Sequence, residues 1–184
     1  MITTATIAKF SLDEYHRMID AGVLQGRHVE LLNGLIIEMA AEGTSHAYYS
    51  DESADYLSDL LGNQAKVREG KPITLPNDSE PEPDIAVVEP LGAVYLEHHP
   101  YPENVLLLIE YSNTSLTKDL EDKSLIYAAA AVQEYWVVNL RDMQLIVFRD
   151  PHDGVYQSKE TLTAGIINPL AFDVAIDVSR LMGG

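Results

Sequence analysis

The apolar and polar positions follow two periods along the chain, which predicts both helices and strands. Residues 11–14, SLDE, have the Ser-x-x-Glu form of a capping box that opens a short helix, and Gly22 ends it. The segments HVELLN and LIIEMA flank Asn33-Gly34, a strong hairpin signal, so we expect them to be paired strands. An amphipathic helix is expected over residues 44–61, with Gly62 after its last turn.

The middle of the chain has the pattern of further strands. Residues 64–75 alternate as in a strand, and Gly70 and Pro72 mark a bulge or a sheet edge. The segment DIAVV follows Pro83 as a short strand. NVLLLIEY contains the continuous apolar run that is typical of a buried central strand.

The last third of the chain predicts one more helix and a further strand pair. The helix is expected from about residue 116 to residue 131, before the strands EYWVVNL and QLIVFRD. Short strands and a final short helix complete the pattern. This order predicts an α/β fold in which a mixed sheet is flanked by helices. A length of 184 residues fits one domain, residues 1–184.

Composition narrows the class of protein. The chain is 46% hydrophobic and 22% charged, as is typical of a folded globular protein, and it has no cysteine for a disulfide, a thiol nucleophile or a zinc–thiolate site. The segment MITTATIAKF lacks the apolar core of a signal peptide. The longest apolar run without a charge, residues 124–133, is too short to cross a membrane. We therefore expect a soluble, cytoplasmic protein with no membrane partner.

The net charge of −17 opposes simple binding to nucleic acid, because such binding draws on Lys and Arg side chains that neutralise phosphates. A DNA-binding protein of this charge needs a local basic surface or recruited divalent cations. Lys66, Arg68 and Lys71 form one dense basic island. They are either DNA contacts or the charges of an edge strand that is protected against aggregation.

Two carboxylates lie where strands begin or end. Glu110 shares a strand face with Leu108 and closes an apolar strand, so a buried position would require a cation, a donor or a metal. The alternative is a strand-end glutamate in solvent. Asp84 opens a strand on the face of Ala86, and the alternative is an ordinary turn aspartate after Pro83. Two such carboxylates on adjacent strands form an oxygen site that suits Mg²⁺.

Lys123 shares one helical stripe with Leu116, Leu120 and Tyr127, which predicts that it faces inward. A lysine in that position needs an anion, and Glu110 and Asp84 are candidates because the helix follows the strand of Glu110. The alternative is a lysine whose aliphatic stem covers the core while its ammonium group reaches water.

PEPDIAVV and LLLIEYSNTSLTKDLEDKSLIYAAAAVQEYWVV, together with VELLNGLIIEMA before His46, resemble a restriction-endonuclease-like bacterial family of the PD-(D/E)XK nuclease superfamily. The resemblance covers most of the chain. It implies a restriction-endonuclease-like core, a central mixed sheet with helices on both faces. It also implies that Asp84, Glu110 and the backbone carbonyl of Tyr111 bind Mg²⁺ or Mn²⁺.

The sequence departs from the superfamily pattern at one position, since Ser112 replaces the lysine expected two residues after the glutamate. The resemblance implies that Lys123 is that lysine, relocated to the next helix. Glu30 resembles an additional acidic residue that would reach the metal directly or through water; the alternative is a hairpin glutamate in solvent. His46 would contact a phosphate or lie near the metal, or would be a surface or packing residue.

These residues imply a metal-dependent endonuclease that hydrolyses phosphodiester bonds of DNA, with Lys123 orienting or deprotonating a water and stabilising charge on the phosphoryl oxygens. One alternative is a catalytically inactive nuclease fold that binds a metal or nucleic acid. Another, based on charge alone, is an acidic mimic of DNA. Exposed sheet edges would also permit a homodimer with two sites on one duplex.

Overall fold

A computed structural model describes residues 6–184, so the segment in which no signal peptide is expected lies partly outside the described residues. In chain order the helices are α1 (Leu12–Asp20), α2 (Thr44–Leu61) and α3 (Ser124–Ala129). The strands are β1 (Val29–Leu32), β2 (Leu35–Glu38), β3 (Lys66–Glu69), β4 (Ile85–Val88), β5 (Val105–Ser112), β6 (Glu134–Asn139), β7 (Gln144–His152), β8 (Val155–Leu162), β9 (Ile166–Ile167) and β10 (Ile176–Asp177). Short 3₁₀ segments lie at Gly62–Gln64, Gly92–Leu96, Pro102–Asn104 and Val178–Met182.

Six strands form the central sheet in the order β3-β4-β5-β6-β7-β8. The pair β5–β6 is parallel, and the other pairs are antiparallel. The parallel pair exists because α3 carries the chain from the end of β5 back to the start of β6, as parallel pairing requires. The predicted mixed sheet is therefore confirmed.

Helices cover both faces of this sheet, and alternate strand residues enter two separate cores. On one face Leu57 of α2 packs with Ile85 and Ile109. On the other, Tyr127 of α3 packs with Leu108. The strands β4 and β6 are buried along their whole length because they are covered on both sides.

The N-terminal segment forms α1 and the β1–β2 hairpin, as the sequence predicts. In the capping box the Ser11 hydroxyl accepts from the Glu14 backbone N–H at 3.3 Å, and the Glu14 carboxylate accepts from the Ser11 N–H at 2.9 Å. Asn33 and Gly34 have φ values of 49° and 79°, which suits a tight hairpin turn. The hairpin docks where the Glu80 N–H donates to the Leu31 carbonyl at 2.7 Å.

Two predicted elements differ from the structure. The strand expected over residues 64–75 is limited to Lys66–Glu69, because Gly70 turns the chain with a φ of 50° and the following residues form a loop. The helix expected over residues 116–131 ends at Ala129, and its section Lys118–Lys123 is π-helical. Within residues 6–184 no helix has both the length and the apolar character that a bilayer crossing demands.

Candidate active site

Asp84 and Glu110 come together across β4 and β5. Ile85 is paired with Ile109 in this antiparallel ladder, so one further step of the register sets Asp84 opposite Glu110 on the same face of the sheet. Both carboxylates line a cleft of about 270 Å³. The sequence-based expectation that the two acids share one site is consistent with this geometry.

One oxygen of Asp84 is held on two sides. Its Oδ2 accepts from the Tyr111 backbone N–H at 2.6 Å and lies 3.0 Å from Nε2 of His46. No hydrogen bond within residues 6–184 uses Oδ1. The carboxylate is therefore fixed in orientation by these two contacts.

Glu110 is almost completely buried, with 3% of its surface exposed. Its Oε1 accepts from Lys123 Nζ at 2.7 Å and from the Tyr127 hydroxyl at 2.9 Å. Burial, together with the nearby charge of Asp84, raises the pKa of Glu110 to about 8 against the opposing effect of Lys123. The alternative of a strand-end glutamate in solvent is wrong.

Lys123 lies inside the protein with 2% of its side chain exposed, as its helical stripe predicts. Besides Glu110 it approaches Glu30, with Nζ 3.5 Å from Oε2. Burial works against its charge, but Glu110 and Glu30 together raise the pKa of Lys123 well above its ordinary value. The side chain is therefore an ammonium group at neutral pH, and the alternative in which that group reaches water is wrong.

Glu30 is fully buried beneath the same cleft, so the alternative of a solvent-facing hairpin glutamate is also wrong. Its Oε1 accepts from Lys118 Nζ at 3.0 Å. Burial favours the neutral acid, yet Lys123 and Lys118 outweigh it and lower the pKa of Glu30. Glu30 is thus an anion held between two lysines.

The π-helical segment explains how both lysines reach Glu30. In an α-helix, residues five apart differ by roughly 140° around the axis, so Lys118 would point away from Lys123. A π-helix closes i→i+5 hydrogen bonds, which brings residues five apart onto one side. Sequence reasoning missed Lys118 because the 3.6-residue period places it off the inward stripe. Its side chain is 31% exposed and lines the cleft.

Ser112, at the position where the resemblance implies a lysine, is a structural residue in this fold. It is fully buried, and its hydroxyl donates to Asp119 Oδ2 at 2.7 Å. The Ser115 hydroxyl donates to the same oxygen at 2.6 Å. Asp119, which sequence reasoning also missed, thereby connects the end of β5 to the start of the π-helical segment that carries Lys118 and Lys123.

His46 belongs to the first turn of α2 and points toward the cleft, with 16% of its side chain exposed. The alternative of a surface residue is therefore wrong. The hydrogen bond to Asp84, with the nearby charges of Asp84 and Glu42, raises the pKa of His46 against the opposing effect of burial. Glu42, His46 and Asp84 each offer one ligand atom, and these atoms lie within 4.8 Å of one another.

Tyr111 contributes its backbone to this part of the site, and its ring lies edge-on to the His46 ring with the ring centres 6.2 Å apart. Its N–H binds Asp84, and its side chain packs in the core on the opposite face of the sheet. Burial raises the pKa of the Tyr111 hydroxyl. The implied role of its carbonyl as a metal ligand stays a prediction.

The basic island lies on and beyond β3, an edge strand of the sheet. Arg68 is paired with Ala86 and so lies on the face that carries Asp84. Its guanidinium is 5.5 Å from the centre of the Tyr95 ring. Among the described residues no carboxylate lies within 4.0 Å of Arg68, and its buried Nη1 has no hydrogen-bond partner.

Comparison with known proteins identifies relatives at two levels. The family model Uma2, described as "Putative restriction endonuclease", matches residues 12–179. Among solved structures the chain is similar to "a putative nuclease belonging to DUF820" from Anabaena variabilis, with 16% identity and a TM-score of 0.70 over 95% of this chain and 98% of that one. That identity shows a shared fold alone. No curated protein sequence matches the chain. The family resemblance inferred from the sequence is confirmed.

Proposed function

Because this chain belongs to the Uma2 family of restriction-endonuclease-like proteins, we propose that it is a divalent-metal-dependent endonuclease that hydrolyses phosphodiester bonds of DNA. The observation that supports this most is the pairing of Asp84 with Glu110 across β4 and β5, with Lys123 and Lys118 at the same cleft. Two carboxylates and two ammonium groups can serve a reaction in which a phosphate gains negative charge.

The donor set fits a hard divalent cation. Asp84, Glu110 and the carbonyl of Tyr111 would hold Mg²⁺ or Mn²⁺ through oxygen atoms, as these ions prefer. When bound, the ion would polarise the scissile phosphate and make a bound water more acidic. A metal beside Glu110 would favour the ionised form of this carboxylate, whose pKa is raised by burial.

Lys123 and Lys118 have different roles in this proposal. Lys123 stays protonated between Glu110 and Glu30, so it stabilises negative charge and orients Glu110 rather than accepting a proton from water. Lys118 is partly exposed at the cleft and is placed to contact a phosphoryl oxygen. Glu30 anchors both ammonium groups and is a positioning residue in this proposal.

Substrate would approach over the β3 edge. Arg68 has no anionic partner among the described residues and lies on the sheet face of Asp84, and Lys66 occupies the same face two residues away. Phosphates of DNA are suitable partners for these cations. A phosphate contact at this edge would offset the long-range repulsion from a net charge of −17.

A second candidate function is metal or nucleic-acid binding without cleavage. The burial of Lys123, with 2% exposed, and the presence of Ser112 in place of the usual lysine both favour it. A fold shared with nucleases does not by itself confer their activity.

The test is cleavage of supercoiled, linear and single-stranded DNA and of RNA at low salt with Mg²⁺ or Mn²⁺. Asp84→Asn keeps an oxygen acceptor for the Tyr111 N–H but removes the charge. Asp153→Asn, at an exposed turn, is the matched control. Cutting by wild type and the control but not by Asp84→Asn supports the proposal. Metal binding without cutting by any of the proteins favours the second function. Equal cutting by all three contradicts the assignment of the site.

A further inference from the structure

The contact between His46 and Asp84 has the spacing of two ligands on one metal ion. His46 Nε2 lies 3.0 Å from Asp84 Oδ2. Octahedral bonds of roughly 2.1 Å set adjacent ligand atoms about 3 Å apart, so an ion could replace the proton that these atoms share with little movement of either side chain.

The other nitrogen of His46 supplies a second, independent observation. Nδ1 is buried and has no hydrogen-bond partner among the described residues. Its closest carboxylate oxygen is Glu42 Oε2, at 3.7 Å, and Glu42 is exposed enough to move toward it. A histidine that binds a metal through one nitrogen commonly donates its other N–H to a carboxylate, which fixes the ring and its tautomer. The order Glu42, His46, Asp84 matches that arrangement.

We propose that His46 is a nitrogen ligand of the metal held by Asp84, with Glu42 as the carboxylate that orients the imidazole. This inference rests on the proposed function, since it extends the metal site described there. The centre then combines the oxygen ligands of the proposed site with one imidazole nitrogen. An imidazole ligand favours transition metals, whereas Mg²⁺ prefers oxygen ligands and retains its waters. The site therefore prefers Mn²⁺ and Co²⁺ to Mg²⁺.

The experiment is calorimetric titration of the full chain with Mn²⁺, Co²⁺ and Mg²⁺, without any nucleic acid. We compare wild type with His46→Asn, and use His28→Asn as the matched control. His28 lines the same cleft and lies 3.2 Å from a carboxylate oxygen of Glu82, but among the described residues it forms no hydrogen bond or ion pair with Asp84. Thermal unfolding of each variant establishes that it is folded.

Wild type is expected to bind Mn²⁺ at least about tenfold more tightly than Mg²⁺. His46→Asn should lower the Mn²⁺ and Co²⁺ affinities about tenfold or more while changing the Mg²⁺ affinity by less than about threefold. His28→Asn should leave all three affinities unchanged. Equal losses for the three ions, or none, would overturn the ligand role of His46.

A measurement on wild type alone covers the case in which the variant does not fold. Nitrogen-15 spectra of the six imidazoles should show a metal-dependent shift of His46 Nε2 when Zn²⁺ is added. An unshifted His46 with bound Zn²⁺ would contradict the inference. Asp84→Asn separates the two proposals, because loss of all metal binding in that variant upholds the oxygen site even if His46 proves not to be a ligand. Failure of wild type to bind any ion would overturn both.

Discussion

Removing the positive charge of Lys123 should lower the stability of the folded protein as well as its activity. In Lys123→Met the ammonium group disappears from a place where Glu110 and Glu30 both depend on it. Both carboxylates are buried, with 3% and 0% of their surfaces exposed, so water cannot replace the lost partner.

The expected loss in the free energy of unfolding of Lys123→Met follows from the surroundings of the two carboxylates. Breaking a buried ion pair by removing one partner costs about 3–5 kcal/mol, because the remaining charge is left without compensation. Lys118 still contacts Glu30, and the Tyr127 hydroxyl still donates to Glu110, which places the expected loss near the lower end of that range. For a chain of 184 residues, 3 kcal/mol corresponds to roughly 6–12 °C in Tm.

The assay is urea unfolding of wild type, Lys123→Met and the double variant Lys123→Met/Glu110→Gln, each without metal and at about pH 9, where Glu110, with its pKa of about 8, is ionised in wild type. The double variant should regain much of the lost free energy of unfolding, because a neutral amide replaces the uncompensated carboxylate. A loss below about 1 kcal/mol in Lys123→Met would refute the reasoning, since it would mean that neither glutamate relies on this lysine.

Three further predictions concern other parts of the molecule. Metal affinity should rise by at least about tenfold for each pH unit below pH 8 and level off above it, because the ion must displace the proton of Glu110, whose pKa is about 8, and any proton on His46, whose pKa is raised; calorimetry across this range measures it. Burial, followed by the charge of Glu80, raises the pKa of Tyr15 to about 12, so its neutral form stabilises the fold below pH 10 and this contribution is lost as pH rises through 12. The difference in stability between wild type and Tyr15→Phe, measured by urea unfolding, should therefore narrow from about pH 9 to about pH 11. Arg68→Ala should weaken DNA binding similarly for all sequences and reduce the salt slope by about 1, as measured by anisotropy at several salt concentrations.

Each of these has an outcome that would contradict it. A metal affinity that stays constant between pH 6.5 and pH 8.5 would exclude proton displacement at Glu110. A constant difference between wild type and Tyr15→Phe would show that the hydroxyl titrates alike in the folded and unfolded chains. For DNA binding, Lys159→Ala is the control, because Lys159 also lies over an aromatic ring, Phe148, but on β8 at the opposite edge of the sheet. Equal losses for the arginine and lysine variants would contradict a specific role for β3.

Local signals in the sequence were sufficient to predict most of the helices and strands. The helix α2 has the predicted bounds Thr44–Leu61, because a glycine follows its last turn. The turn at Asn33 and Gly34 forms as predicted, since both residues tolerate positive φ. The helical period also predicted the inward position of Lys123. The extra residue in the wider π-helical turn leaves Lys123 on the buried side of the helix.

The parts that could not be predicted depend on contacts between distant segments. Residues 71–75 have a strand-like pattern, but they pack as a loop in which the Ile73 N–H donates to the Pro81 carbonyl at 3.1 Å. Glu30 looks like an exposed hairpin residue until the segment of Lys118, 88 positions later, covers it. A 3.6-residue period cannot indicate a π-helical turn, so it does not predict that Lys118 and Asp119 belong to the site.

The separation of Glu30 and Lys118 along the chain has a consequence for the order of folding. Sheet neighbours β3 to β8 are also neighbours in sequence, so that sheet can grow by local pairing as the chain is synthesised. Closing the 88-residue loop between Glu30 and Lys118 costs on the order of 4 kcal/mol in chain entropy. The cleft thus requires an early and a late part of the nascent chain to meet. We expect metal binding to be acquired only in the last stage of folding, after most of the core has formed.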